Sequence, residues 1–182
     1  NKYLAACDCA LPIGYGQTIS QPSLVLEMTL MLDLHEDNKV LEVGTGSGYQ
    51  TVLLAEFANE VYTIEIVPEL ARAAREKIEN LGYSNVRFRV GDASQGWPEH
   101  QPYDRIIVTA AAGRMPEALI NQLKVGGKMV VPVGPPGHQN LCLVVRESEN
   151  KIVVQEMGGV TFVEFKGRYG WKSRMDEKNQ EC

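Results

Sequence analysis

Apolar residues along this chain follow two rhythms in turn. From Pro22 to about Leu34, the residues Leu24, Val25, Met28, Met31 and Leu32 fall at spacings of three and four, the period of one buried helix face. "KVLEVGTGSG" then reads as a short strand ending in glycines, and "YQTVLLAEFA" as a helix. "EVYTIEI" predicts a second strand. "PELARAAREKIENLG" predicts a helix with Pro68 near its start, Gly82 past its end, and Leu70, Ala74, Ile78 and Leu81 on one side. "VRFRV" and "DRIIVTA" add strands, "MPEALINQLKVGG" a helix and "KMVVPVG" a fifth strand. Strands separated in this way by helices predict a parallel sheet covered on both faces. The last third changes character. "LCLVVRE" and "KIVVQEM" flank the polar turn "SENK", which predicts antiparallel strands at one edge, with "GVTFVEF" beyond. The predicted fold class is α/β, a doubly wound, mostly parallel sheet with helices on both faces and an antiparallel C-terminal β edge.

Composition narrows the classes of function. With 182 residues, 44% hydrophobic and 23% charged, the chain is long enough to bury a full core, and a single domain over 1–174 with a polar tail over 175–182 is expected. The 18 Lys and Arg against 23 Asp and Glu leave a net charge of −5, which argues against an electrostatic grip on nucleic acid. No apolar run reaches the length of about 18 residues that spans a membrane. The opening "NKYLAACDCA" lacks the charged and long apolar regions of a signal peptide, so a cytoplasmic protein is expected, with a monomer the favoured state. Cys7, Cys9, Cys142 and Cys182 form no C-x-x-C pair, and His35, His100 and His138 are scattered. No metal site is expected, and the cysteines read as free or buried thiols.

In a doubly wound sheet, ligands bind beyond the carboxyl ends of the strands, where the strand order reverses. The loop after the first of these strands is Gly44-Thr45-Gly46-Ser47-Gly48, whose glycines allow a tight turn and close approach to a ligand. Its G-x-G-x-G spacing, with Tyr49 next, departs from the G-x-G-x-x-G of dinucleotide sites. Glu42 lies in the otherwise apolar strand before it, and a buried carboxylate needs hydrogen bonds, so it is expected to hold loop N–H groups or a cationic ligand. Glu65 ends the second strand, suited to accepting both hydroxyls of a ribose. Gly91-Asp92 follows the third, where the carboxylate could accept from an adenine amino group.

The combination of E-x-G-x-G-x-G, Glu65 and "GDA" resembles the class I S-adenosylmethionine-dependent methyltransferases, with their Rossmann-like sheet. That resemblance implies S-adenosylmethionine as cofactor and S-adenosylhomocysteine as product. It also implies Gly44, Gly46 and Gly48 at the methionine moiety, Glu65 at the ribose and Gly91-Asp92 at the adenine. A nicotinamide-dependent oxidoreductase would share the sheet and Glu65, but the glycine spacing disfavours it. A catalytically silent binding module of the same fold would differ only in turnover.

A narrower resemblance rests on "ALPIGYGQTISQP" ahead of "VLEVGTGSGYQT", with "YDRIIVTAAA" and "LKVGGKMVVPVG" further on. From about Leu11 to Trp171 the chain resembles the protein-L-isoaspartate O-methyltransferases. These methylate the free α-carboxylate of isoaspartyl residues in damaged proteins and peptides, so that repair proceeds through a succinimide. The resemblance implies Ser20 as the active-site serine, and Thr18, with Gln17, in the wall between cofactor and substrate. Pro12, Ile13 and Gly14 would line the acceptor peptide. Ser20, two residues before Pro22, also fits a helix N-cap. Members of the family usually carry a helical segment ahead of "ALPIG", which is expected to be missing from this sequence. Glu164 stands where the closing segment commonly has proline, with Lys166 and Arg168 added.

Overall fold

The structure is a computed structural model and describes residues 7–168 and 170; Trp171 and the tail assigned to 175–182 lie outside the described residues. The chain opens with a two-stranded hairpin of β1 (Leu11–Gly14) and β2 (Gln17–Ile19), apart from the main sheet. Helix α1 (Pro22–Leu32) follows and buries Val25, Met28, Thr29 and Leu32, as its spacing predicts. Then come β3 (Lys39–Val43), α2 (Tyr49–Phe57), β4 (Glu60–Glu65), α3 (Pro68–Asn80), β5 (Val86–Val90) and β6 (Tyr103–Val108). Short α4 (Glu117–Ile120), β7 (Leu123–Val133), β8 (Gln139–Ser148) and β9 (Lys151–Val160) complete the order.

Seven strands form one sheet in the order β5-β4-β3-β6-β7-β8-β9. The five from β5 to β7 run parallel, and β7-β8-β9 form an antiparallel meander. Alternate residues of each central strand face opposite cores, as the strand period requires. Leu41, Val43, Tyr62, Ile64, Ile106 and Val108 pack on one side, and Val40, Val61, Ile107 and Val130 meet Met28, Leu32, Leu54 and Ile78 on the other.

Two predicted elements differ. The helix expected over 115–127 shrinks to four residues, because Gly126 and Gly127 are poor helix formers and the following Leu123–Val133 stretch pairs with β6 instead. "GVTFVEF" is not a strand of its own: β9 ends at Val160, and beyond it an isolated bridge joins Glu164 to Ala111 while Phe162 N–H donates to Gln139 Oε1 and Phe165 is buried in the core.

Helix α1 is fastened at both ends by residues far away in sequence. At its C-terminus the buried Arg105 of β6 donates from Nη2 to the carbonyl of Asp33 at 2.9 Å, satisfying an orphan acceptor. At its N-terminus Asp8 accepts the Ser23 N–H at 2.9 Å and the Gln21 side chain at 2.8 Å. The expected cap is therefore corrected: the N-cap position is Gln21, and the oxygen that satisfies the first turn belongs to Asp8 rather than Ser20.

Candidate active site

The strand order reverses at β3, flanked by β4 and β6, so the loops after β3 and β6 part and open a crevice. The backbone of these loops is tightly fixed. Gly44 N–H donates to the Ile64 carbonyl at 2.9 Å, and Thr109 N–H to the Val43 carbonyl at 2.9 Å. Gly44 has φ +96°, and a Cβ there would lie 2.4 Å from Thr109 Oγ1, so both conformation and space demand glycine. Thr109 Oγ1 shares its proton between the carbonyls of Val43 and Gly44, at 2.9 and 2.7 Å. Gly48 has a different role from its neighbours in the motif. A Cβ on it would meet Ile78 Cδ1 at 3.1 Å, so it lets α3 pack against the loop.

The two glutamates of the motif have separate environments. Glu65 Oε2 accepts the Gly46 N–H at 2.8 Å and Oε1 the Val67 N–H at 2.9 Å. A carboxylate offers about four acceptor sites. Two are taken by backbone, so two remain for hydroxyls of a ligand in the pocket that Glu65 lines. Glu42 is fully buried and receives one hydrogen bond, from the Thr51 hydroxyl at 2.6 Å, while its Oε1 has no partner. Desolvation pushes its pKa up to about 8, against the pull of the Thr51 and Thr63 hydroxyls and with a small push from Glu65. Glu42 is thus neutral at pH 7. The expectation that Glu42 holds loop N–H groups is corrected, since that task falls to Glu65.

A first pocket is walled by Gln17, Thr18, Gly44, Gly46, Glu65 and Thr109 and roofed by Val163–Lys166. The roof is stitched down by hydrogen bonds from Ala111 N–H to the Val163 carbonyl at 2.8 Å and from Phe165 N–H to the Ala111 carbonyl at 2.9 Å. Glu164 and Lys166 therefore sit at this pocket and not on a remote surface. Asp92 does not line it. Burial raises the Asp92 carboxyl, but backbone donors outweigh this and hold its pKa low: Ser94 N–H donates to Oδ1 and Arg168 N–H to Oδ2, each at 2.8 Å. Gly91 N–H pins the end of β5 to the Glu65 carbonyl at 2.9 Å.

A second, more polar groove is bordered by Ser20, Ser23, Leu24 and Glu27 on the α1 side and, opposite, by His138 just ahead of β8 and by 159–163 at and beyond the end of β9. Thr18 and Thr109 line both groove and pocket, and Ser20 faces the groove and a narrow cleft that also reaches Gly44 and Gly46. Of the hairpin residues Pro12, Ile13 and Gly14, only Ile13 reaches this region, with Cδ1 3.6 Å from where a Gly46 Cβ would stand. Sequence reasoning missed Thr109, Asp8 and the bridge that fastens the closing segment to Ala111. Thr109 could have been found from its position just after β6, at the switch point; the other two carry no local signal.

A G-x-G-x-G loop at the switch point of this sheet, with Glu65 ending β4 and keeping acceptor capacity for a ribose, fits the class I S-adenosylmethionine-dependent methyltransferases. Comparison with known proteins narrows the class. The family model described as Protein-L-isoaspartate(D-aspartate) O-methyltransferase matches residues 2–170. The chain is 57% identical to the protein-L-isoaspartate O-methyltransferase of Dictyoglomus turgidum over 163 residues, 90% of this chain and 74% of the relative. A solved protein-L-isoaspartate O-methyltransferase superposes with a TM-score of 0.86 at 28% identity, over 100% of this chain and 59% of that one. One from Plasmodium falciparum, in complex with S-adenosyl-L-homocysteine, gives a TM-score of 0.79 at 26% identity, over 91% of this chain and 84% of that one. The chain belongs to the protein-L-isoaspartate(D-aspartate) O-methyltransferase family, S-adenosylmethionine-dependent enzymes of isoaspartyl repair.

Proposed function

We propose that the chain carries out its family's reaction, methylating the α-carboxylate of L-isoaspartyl residues, with the cofactor in the glycine-loop pocket and the acceptor in the polar groove. The observation that carries this reading is the junction: Thr18 and Thr109 line both spaces, and Ser20 opens onto the groove beside them. Glu65, Gly44 and Gly46 would hold the cofactor, which supplies a methyl group on a sulfonium. An isoaspartyl α-carboxylate is already ionised at neutral pH, so no side chain has to remove a proton. The residues shared by pocket and groove, Thr18, Thr109 and Val163, fit this, since none of them titrates. The task left to the protein is to strip water from the carboxylate and fix its approach, with the Ser20 and Thr18 hydroxyls as donors that hold the anion without neutralising it. The methyl ester is then a leaving group for the neighbouring peptide nitrogen, which closes the succinimide whose hydrolysis completes repair.

The test is transfer of labelled methyl to an isoaspartyl peptide, with the aspartyl isomer as control, for the parent and two variants. Ser20→Ala should lower kcat/KM by roughly 10- to 100-fold, the range for a hydrogen bond to a charged group, and leave cofactor affinity unchanged. Its stability should also hold, because Asp8 and not Ser20 satisfies the first turn of α1. Ser20→Asp sets a second negative charge beside the acceptor carboxylate in a partly desolvated groove and should nearly abolish turnover. A folded Ser20→Asp variant that methylates at the parent rate would overturn the assignment.

A further inference from the structure

Cys7 and Cys9 play no part in the site described above, yet the fold places them together. Both are exposed, the chain is bent at all three residues from Cys7 to Cys9, and the Cys7 side chain is near enough to Cys9 to raise the pKa of its thiol. Disulfides require Cα atoms within about 7 Å, a spacing that a bend across one intervening residue supplies. That residue is Asp8, whose carboxylate carries the two hydrogen bonds that fasten the N-terminus of α1. Both partners of Asp8, Gln21 and Ser23, border the polar groove beside Ser20.

We propose that Cys7 and Cys9 form a reversible disulfide that draws Asp8 away from Ser23 and Gln21 and so weakens acceptor binding. The ring closed by such a bond contains Asp8 itself, so the new constraint falls on the residue that sets the start of α1. The oxidant is a low-molecular-weight disulfide. One cysteine thiolate attacks it and expels one thiolate, leaving a mixed disulfide. The second cysteine thiolate then attacks that bond at the protein sulfur and expels the other. Two protein thiols are oxidised, and the small disulfide is reduced to two thiols, which take up the two protons that the protein thiols lose. Burial, then the Cys7 thiol and Asp8, raise the pKa of the Cys9 thiol.

The experiment incubates the full chain in glutathione buffers of graded oxidised-to-reduced ratio, followed by peptide mapping and kinetics. The expected product is one peptide carrying Cys7 and Cys9 that has lost two hydrogens, with a midpoint that is independent of protein concentration. The oxidised protein should show KM for the isoaspartyl peptide raised about fivefold, the scale of a lost helix cap, with S-adenosylhomocysteine affinity unchanged and full recovery on reduction. Cys7→Ser/Cys9→Ser should keep the parent KM under all buffers, whereas Cys182→Ser should remain sensitive. The mapping result does not depend on the proposed acceptor groove, so a disulfide that forms without changing KM overturns the coupling alone. Glutathione adducts in place of the internal bond, or no oxidation at ratios that oxidise ordinary dithiols, overturn the proposal as a whole.

Discussion

The two halves of the site are built in opposite ways. The glycine-loop half grows directly from the sheet: its residues end β3, β4 and β6, its N–H groups bond neighbouring strands, and Glu65 lies at the terminus of a fully paired strand. The acceptor half is assembled outside the sheet from a hairpin, the start of α1 and the segment after β9. A few polar contacts between residues distant in sequence hold it, Asp8 to Ser23 and Arg105 to Asp33 among them. The first half owes its shape to the main hydrophobic core, and the second to individual hydrogen bonds. Cofactor binding should therefore depend on residues that also cost or contribute stability, while acceptor binding should respond to changes that leave the fold intact.

The largest effect is expected at Glu42. Its pKa is raised from an ordinary 4.5 to about 8 in the folded chain. The unfolded chain therefore releases a proton above pH 4.5 that the folded chain keeps, and folding stability falls as pH rises through that window and levels off above it. At 1.36 kcal/mol per pKa unit the loss is on the order of 4 kcal/mol. Glu42→Gln has nothing to titrate, so urea unfolding should show it gaining on the parent by that amount between pH 5 and pH 8.5. A constant difference across this range would mean that Glu42 ionises normally and the glycine-loop half carries no such burden. Next comes Glu65→Ala, which removes an acceptor for the Gly46 and Val67 N–H groups as well as the one proposed for the cofactor. It should weaken S-adenosylhomocysteine binding by about 1.5–3 kcal/mol in calorimetry, with peptide KM little changed. Unchanged affinity would place the ribose on other residues.

The same contrast explains what could be read from the sequence. Strands β3 to β6 and helices α1 to α3 were legible because apolar period, Pro68, Gly82 and the glycine loop all act within a few residues of where they sit. Glu65 was legible for the same reason, as an acid at a strand end. Its partner was not, and Glu42 was credited with the loop contacts because nothing local shows that the acid within β3 is sealed in while the acid ending β4 reaches the Gly46 N–H. The short α4 was misread where Leu123–Val133 found a better use as a strand against β6. Where the closing segment is fastened was not legible, because the bridge from Glu164 to Ala111 jumps over α4 and β7 to β9. Ser20 drew two readings from one local pattern, a hydroxyl before a proline. The cap came from Asp8, fifteen residues from Ser23, beyond the reach of any local rule.

Asp8 gives the smallest effect and the most direct test of the contrast. Its pKa is held low by the Ser23 N–H, then by the Gln21 and Ser23 side chains, so it faces α1 as an anion at neutral pH. An anion at a helix N-terminus acts both as a hydrogen-bond acceptor and as a charge opposite the helix dipole. Asp8→Ala removes both, whereas Asp8→Asn keeps an oxygen for the Ser23 N–H and removes the charge together with the acceptor of the Gln21 side chain, so the pair separates the Ser23 bond from the charge. If α1 is positioned by the hydrogen bond, Asp8→Ala should raise KM for the isoaspartyl peptide about fivefold and Asp8→Asn less than twofold, with kcat and cofactor affinity close to the parent in both. If the charge matters more, the two variants should resemble each other, and 1 M salt should bring the parent toward them by screening. A fall in cofactor affinity as large as the rise in KM would break the comparison, because it would show that the start of α1 and the glycine loop move as one body.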